Sequence, residues 1–316
     1  MRKIGLALVV LVGACGSPEQ TEASTTTVAP TTSAVDTTIP SSTTTSSADT
    51  TSSTEATTTT AGPTTSSQPL AGNWADEPLV VTEFGALGWW DGSDWVRAEE
   101  AGALPVEGGE DYQVSLLGEG SVTSGGPQEI VCEPPGNLGV ELEDTETLGA
   151  FPGPFGVAIS ANWGIHPHLL ESFADDGSYA GFARELLASR GMDVPNPDIK
   201  QLHRTDLEGD GTNEVLVVAE DVSPGLFAEE GDYSIIFMRK VVQGEVQTAV
   251  LGESLILEPD DFLLSFSLGT VADLSGDGKM EIVVDSAYYE GLGVEVWEYA
   301  DDDLGPVPRI SVGCGA

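Results

Sequence analysis

The chain has 316 residues, of which 52 are Asp or Glu and 11 are Lys or Arg, giving a formal net charge of −41. Within 72–316 there are 47 of the acids and nine of the bases, a formal charge of −38. Phosphate contacts need clustered cationic side chains, so this balance excludes nucleic acid and anionic lipid headgroups as partners of that part. The acids are spread along the chain and read as a solvated surface.

The first fifteen residues combine a basic head, an apolar run over 4–12 and the small residues Gly13 and Ala14 before Cys15. This is the pattern of a secretory signal, and the apolar run is too short to span a bilayer. The segment Val12-Gly-Ala-Cys15 resembles a bacterial lipobox. That resemblance implies acylation of Cys15 and a lipid anchor at the extracellular face of the cell membrane, where two or more acyl chains give a stable hold. An ordinary signal peptide that happens to contain a Cys is the alternative. Residues 16–71 are mostly Thr, Ser, Ala and Pro with no Lys or Arg. They cannot bury enough surface to offset their ordering entropy, so a disordered linker is expected, its ends roughly 40 Å apart as a coil.

A β-rich domain is expected over 72–316. Strands are expected over 79–82, 89–90 and 95–96, with Asp91-Gly-Ser-Asp94 as a hairpin turn between the last two. Indoles at 89, 90 and 95 read as one face of a β core, with a sugar-stacking platform joined by Trp163 as the competing reading. Further strands are expected over 112–117, 130–132 and 156–161. Phe182, Leu186 and Leu187 are at helical spacing before Gly191, which predicts a helix over 182–189; a shorter one is expected over 169–173. His166-Pro-His168 reads as a loop, and His203 as a strand residue beside the loop that follows it.

That loop occurs twice. Asp206-Leu-Glu-Gly-Asp210-Gly-Thr-Asn-Glu214 and Asp273-Leu-Ser-Gly-Asp277-Gly-Lys-Met-Glu281 lie 67 residues apart, each running into an apolar strand. Oxygen groups at alternate positions, with a Gly for the sharp turn, suit a hard cation such as Ca²⁺. The first copy offers Asp206, Glu208, Asp210, the Thr212 carbonyl and Glu214. The second offers Asp273, Ser275, Asp277, the Lys279 carbonyl and Glu281. An EF-hand needs a Glu at the twelfth position, where these loops have Val217 and Val284. Acidic Gly-rich turns without a metal are the alternative.

The loops and the strands after them resemble FG-GAP or VCBS repeats, the blades of integrin-alpha-type β-propellers. The resemblance covers roughly residues 200–300 and implies Ca²⁺ that stiffens a hairpin within each blade. Strands over 199–202, 215–218, 233–242 and 246–251, then 262–268, 282–284, 294–299 and 310–312, make a repeating four-strand unit. The length 72–316 holds at most four such units, fewer than the seven blades of the integrin-alpha pattern. The expected class is therefore mainly β, with propeller-like blades, calcium loops over about 199–316 and one embedded helix.

Setting Cys15 aside leaves Cys132 and Cys314, an even pair in an oxidising compartment, which points to a disulfide; two buried thiols are the alternative. The sequence holds no Gly-x-Ser-x-Gly elbow, no His-Glu-x-x-His and no P-loop, and no catalytic residue is assigned. The expected role is a lipid-anchored, monomeric binding or scaffolding module whose partner is a cell-wall glycan or a surface protein. The alternative is a calcium-dependent enzyme that processes envelope polysaccharide through two carboxylates the sequence does not single out.

Overall fold

The computed structural model describes residues 69–315 apart from 134–135, 146–147, 150–152, 225–226, 259–261 and 300–304. The signal segment, Cys15 and all of the linker before residue 69 lie outside the described residues. Those described belong to one compact unit, Pro63–Ala316.

The first sheet contains β1 (Leu79–Thr82), β2 (Gly85–Trp90), β3 (Trp95–Arg97), β4 (Asp111–Leu116), β5 (Glu119–Val131), β6 (Asn137–Leu142) and β7 (Val157–Ile159), in the order β3-β2-β1-β7-β4-β5-β6. The second contains β8 (Glu171–Ser172), β9 (Ile199–Thr205), β10 (Glu214–Asp221), β11 (Tyr233–Val242) and β12 (Glu245–Leu255), in the order β12-β11-β10-β9-β8. The third is a meander of β13 (Ser265–Ala272), β14 (Glu281–Tyr288), β15 (Gly291–Tyr299) and β16 (Pro306–Gly315). All pairings are antiparallel, and the strand orders are those of open sheets. The chain is mainly β, and the expected four-strand unit is present twice, as β9–β12 and β13–β16.

The third sheet is the middle layer. Strand side chains alternate between faces, and β14 is apolar on both. Val283 packs with Val80, Leu87 and Ile159 of the first sheet. Ile282 and Val284 pack with Leu216, Ile236 and Met238 of the second. The outer face of the second sheet, through Val217, Ile235 and Phe237, is covered by α1 (Ser178–Ser189) with its Ala183 and Leu187. Each layer therefore removes apolar surface from water on behalf of its neighbour.

The helix begins four residues before the expected start because Asp175 accepts from the amides of Tyr179 and Ala180 and satisfies its first turn. It stops as expected: Gly191 has φ 91° and the Met192 amide reaches back to the Leu187 carbonyl. The short helix expected over 169–173 is instead β8, two residues long, paired to Arg204 and His203 of β9. Tertiary pairing overrides the local pattern there. Trp89 and Trp95 are buried, and Trp95 packs edge-on against Trp90 within the hairpin. The indoles are core residues as expected, but on two faces and not one: Trp89 joins the cluster of Leu79 and Tyr112, whereas Trp95 and Trp90 join that of Val80 and Val283, because neighbouring strand residues point to opposite sides. The strand expected over 262–268 starts at Ser265, and Phe262 is exposed. The strands over 119–129 and 137–142 were not expected, because β5 is rich in Gly, Ser and Glu.

Cys132, next to the end of β5, is bonded to Cys314 of β16 across 182 residues, with Cα atoms 5.8 Å apart. Replacing both with Ser is expected to lower stability by about 2–5 kcal/mol, read from urea unfolding with and without reductant. Between the second and third sheets, the Gln201 side chain takes both polar groups of Leu268: Leu268 N–H donates to Oε1 at 2.7 Å and Nε2 donates to its carbonyl at 3.1 Å. Leu268 is fully buried, so Gln201→Leu leaves two main-chain groups unpaired and is expected to cost about 2–4 kcal/mol. A loss under about 0.5 kcal/mol would show that these groups find other partners.

Candidate functional site

The two acidic loops are built on one plan. Each closes a hairpin between the first two strands of a four-strand unit, from Thr205 to Glu214 and from Ala272 to Glu281. The fourth and sixth positions are left-handed in both: Gly209 at φ 71° and Gly211 at 87°, Gly276 at 81° and Gly278 at 86°. A side chain at these positions would meet its own backbone. The loop can thus turn its main-chain amides inward.

Those amides meet the first acid of each loop. Asp206 accepts from Asp210 N at 3.0 Å and Gly211 N at 2.8 Å. Asp273 accepts from Gly276 N at 2.6 Å and Gly278 N at 3.0 Å. The fifth-position acids hold the next turn, Asp210 on Thr212 N and Asp277 on Lys279 N. The ninth-position acids point back under the loop: Glu214 accepts from Leu207 N at 3.0 Å and Glu281 from Leu274 N at 2.6 Å. Leu207 and Leu274 are fully buried and anchor the two loops in different core clusters.

Burial makes these carboxylates expensive to ionise. Desolvation pushes Glu281 up to about 8, with Asp273 and Asp277 adding repulsion, partly offset by the Leu274 amide and the Ser275 hydroxyl. It pushes Glu214 up to about 7, with Glu208 and Asp210 adding repulsion. Desolvation likewise raises Asp273 to about 6, against the two amides that hold it. In each loop, then, the acids at alternate positions feel one another's charge. They are not drawn into a coordination sphere: among the described residues no group of three or more His, Cys, Asp or Glu side chains is placed to hold a metal ion. The donor chemistry fits a hard cation, which would remove the repulsion that the amides only partly offset.

Residues 163–168, which include the expected loop His166-Pro-His168, line both hairpins. Trp163 donates its indole N–H to the Asp273 carbonyl at 2.9 Å, and a Cβ on Gly276 would come within 3.2 Å of its ring. His168 takes the matching place on the first loop, its Nε2 3.0 Å from where a Cβ on Gly209 would sit. The Ile165 carbonyl accepts from Asp273 N, and the Leu207 carbonyl from Met280 N, which ties the second loop to the first. No sequence signal marks these contacts, because they join segments far apart in the chain.

The histidines do not gather at the loops. His203 is buried and its Nδ1 lies 3.0 Å from the Ser172 hydroxyl, beside the first loop as expected. His166 Nε2 lies 2.7 Å from Ser115 Oγ, which also lies 2.6 Å from Thr270 Oγ1. That pair resembles a nucleophile with its base. Ser115 is fully buried, however, and its hydroxyl ties β4 to β13. Burial lowers the affinity of both His166 and His203 for a proton. Comparison with protein-family models, with curated proteins and with solved structures finds no match to this chain.

The raised carboxyls fix the sign of a pH effect. Between the ordinary carboxylate range and their folded values, the native state holds more protons than the unfolded chain, so stability is greatest on the acid side and falls as pH rises through about 6–8. Below about 6.5 the two buried neutral histidines act in the opposite direction. With EDTA present, the melting temperature is therefore expected to fall from pH 6.5 to pH 8. Glu281→Gln, which keeps an acceptor for Leu274 N, is expected to flatten that slope. An unchanged slope in the variant would mean that Glu281 is solvated in solution.

Proposed function

We propose that the two loops bind Ca²⁺ and that the protein is a lipid-anchored, calcium-stabilised β module of FG-GAP/VCBS type at the extracellular face of a bacterial membrane. Its role is binding or scaffolding at the cell envelope. The observation that carries this reading is the duplication: acids at the first, fifth and ninth positions and left-handed glycines at the fourth and sixth recur at equivalent hairpins in two stacked sheets. Asp206, Glu208, Asp210, the Thr212 carbonyl and Glu214 would form one site, and Asp273, Ser275, Asp277, the Lys279 carbonyl and Glu281 the other. The ion would neutralise clustered carboxylates and fix each hairpin, while Cys15 and the linker would hold the domain away from the membrane. The open stack of sheets is compatible with propeller-like blades.

Binding to the folded state alone adds RT ln(1 + [Ca²⁺]/Kd) to stability. With Kd in the range of extracellular modules, ~0.1–1 mM, a concentration of ~2 mM adds about 0.7–2 kcal/mol per site. The melting temperature is expected to rise saturably with Ca²⁺, and far less with Mg²⁺, from an EDTA baseline. Asp210→Asn and Asp277→Asn keep the oxygen that accepts from Thr212 N and Lys279 N, so they remove charge without removing the turn. Both should reduce the calcium response, Asp277→Asn more, because Ser275 already leaves that loop with one carboxylate fewer. If both variants melt like the parent at every calcium concentration, the ligand assignment is wrong.

A further inference from the structure

The Trp-rich hairpin is core, so an exposed aromatic surface has to be sought elsewhere, and one lies at the outer edge of the second sheet. Phe173, which follows β8, and Tyr179 and Phe182 of α1 form a chain of edge-to-face rings, with centroids 5.7 and 6.0 Å apart. All three are half-buried. With Ala174, Asp176 and Ser178 they line an open cleft of about 420 Å³. Three aromatic rings joined by two polar side chains at the rim are the usual composition of a small-ligand site, in which apolar surface supplies area and a few polar groups supply orientation.

The charges around the cleft decide what it accepts. Arg239 stacks on Phe182 with its guanidinium carbon 3.5 Å from the ring centroid, and Arg204 lies 5.4 Å from that of Phe173. These two rings already serve a cation, and a second would meet the guanidinium charge, so a cationic ligand is disfavoured. An anion fares no better. Asp176 stands exposed at the rim, and Asp175 has taken the Tyr179 and Ala180 amides that α1 would otherwise offer it. Arg204 is engaged with both carboxylate oxygens of Glu171, at 3.0 and 2.9 Å. What remains is a neutral ligand with an apolar face for the rings and hydroxyl groups to donate to Asp176 and exchange with Ser178. We infer that this cleft binds a neutral saccharide ring, stacked on the aromatic side chains with its hydroxyls on Asp176.

The inference deepens the reading of the domain as an envelope binding module and rests on it. The test is isothermal titration calorimetry of the full chain with neutral hexasaccharides of glucose, mannose, galactose and N-acetylglucosamine. Choline chloride and a heparin hexasaccharide serve as charged probes. At least one neutral oligosaccharide is expected to bind, at least ten-fold more weakly in Tyr179→Ala and several-fold more weakly in Asp176→Asn. The second variant guards against loss of folding, because Asn at 176 keeps an acceptor for the Ser178 amide. Binding of no neutral sugar, binding of only a charged probe, or neutral binding unchanged in both variants each overturns the inference. A calcium response without saccharide binding defeats this cleft alone, whereas saccharide binding without a calcium response defeats the calcium reading alone.

Discussion

The whole architecture depends on satisfying the open edge of β13. This strand pairs with β14 on one side only, yet its second half, from Leu268 to Ala272, is buried where the three sheets meet, so free main-chain groups there need partners from the protein. Four of the strand's main-chain groups find partners from another layer. Ser234 of β11 accepts from Phe266 N, Gln201 of β9 takes both groups of Leu268, and Leu117 N donates to the Gly269 carbonyl. Gly269 itself tolerates no side chain, because a Cβ would come 2.1 Å from the Phe155 carbonyl and 3.0 Å from the Asp285 carboxylate. A buried edge is usually closed by another strand or covered by a helix. Here it is closed by side chains, and these fix the register between sheets that apolar contact alone would let slide.

The same junction explains where the acidic loops sit. Each loop leaves the inner strand of its unit, β9 or β13, so both emerge beside residues 163–168, and the two hairpins are tied by the bond from Met280 N to the Leu207 carbonyl. Placing buried carboxylates here would be a poor choice for stability alone, in a domain already carrying far more acids than bases. Their cost is paid only in part by backbone amides. Buried, raised carboxylates thus gather at this end of the domain, with Asp285 of β14, which accepts from Phe155 N, a further one away from the loops.

The sequence showed clearly what is local and periodic. The twin loops, the strands that follow them, the Trp hairpin and the C-terminal stop of α1 all follow from spacing and turn chemistry within about ten residues. It did not show what long-range pairing decides. Residues 169–173 carry a helical pattern but are captured by β9, and β5 and β6 have weak strand propensity that pairing overrides. Gln201 and Leu268 are 67 residues apart, and nothing in either marks a cross-link. The aromatic cleft is a similar case: Arg239 of β11 reaches Phe182 of α1, and only folding brings the two together.

The disulfide has a consequence for how the domain would come apart. Cys132 and Cys314 enclose β6, β7, β8, α1 and the strands β9 to β15 in a single covalent ring that closes within β16. A protease that cuts once anywhere inside this ring opens it without releasing a fragment, since both new ends remain joined through the bond. A nicked molecule would keep its stacked sheets and its apparent size until a reductant reached it.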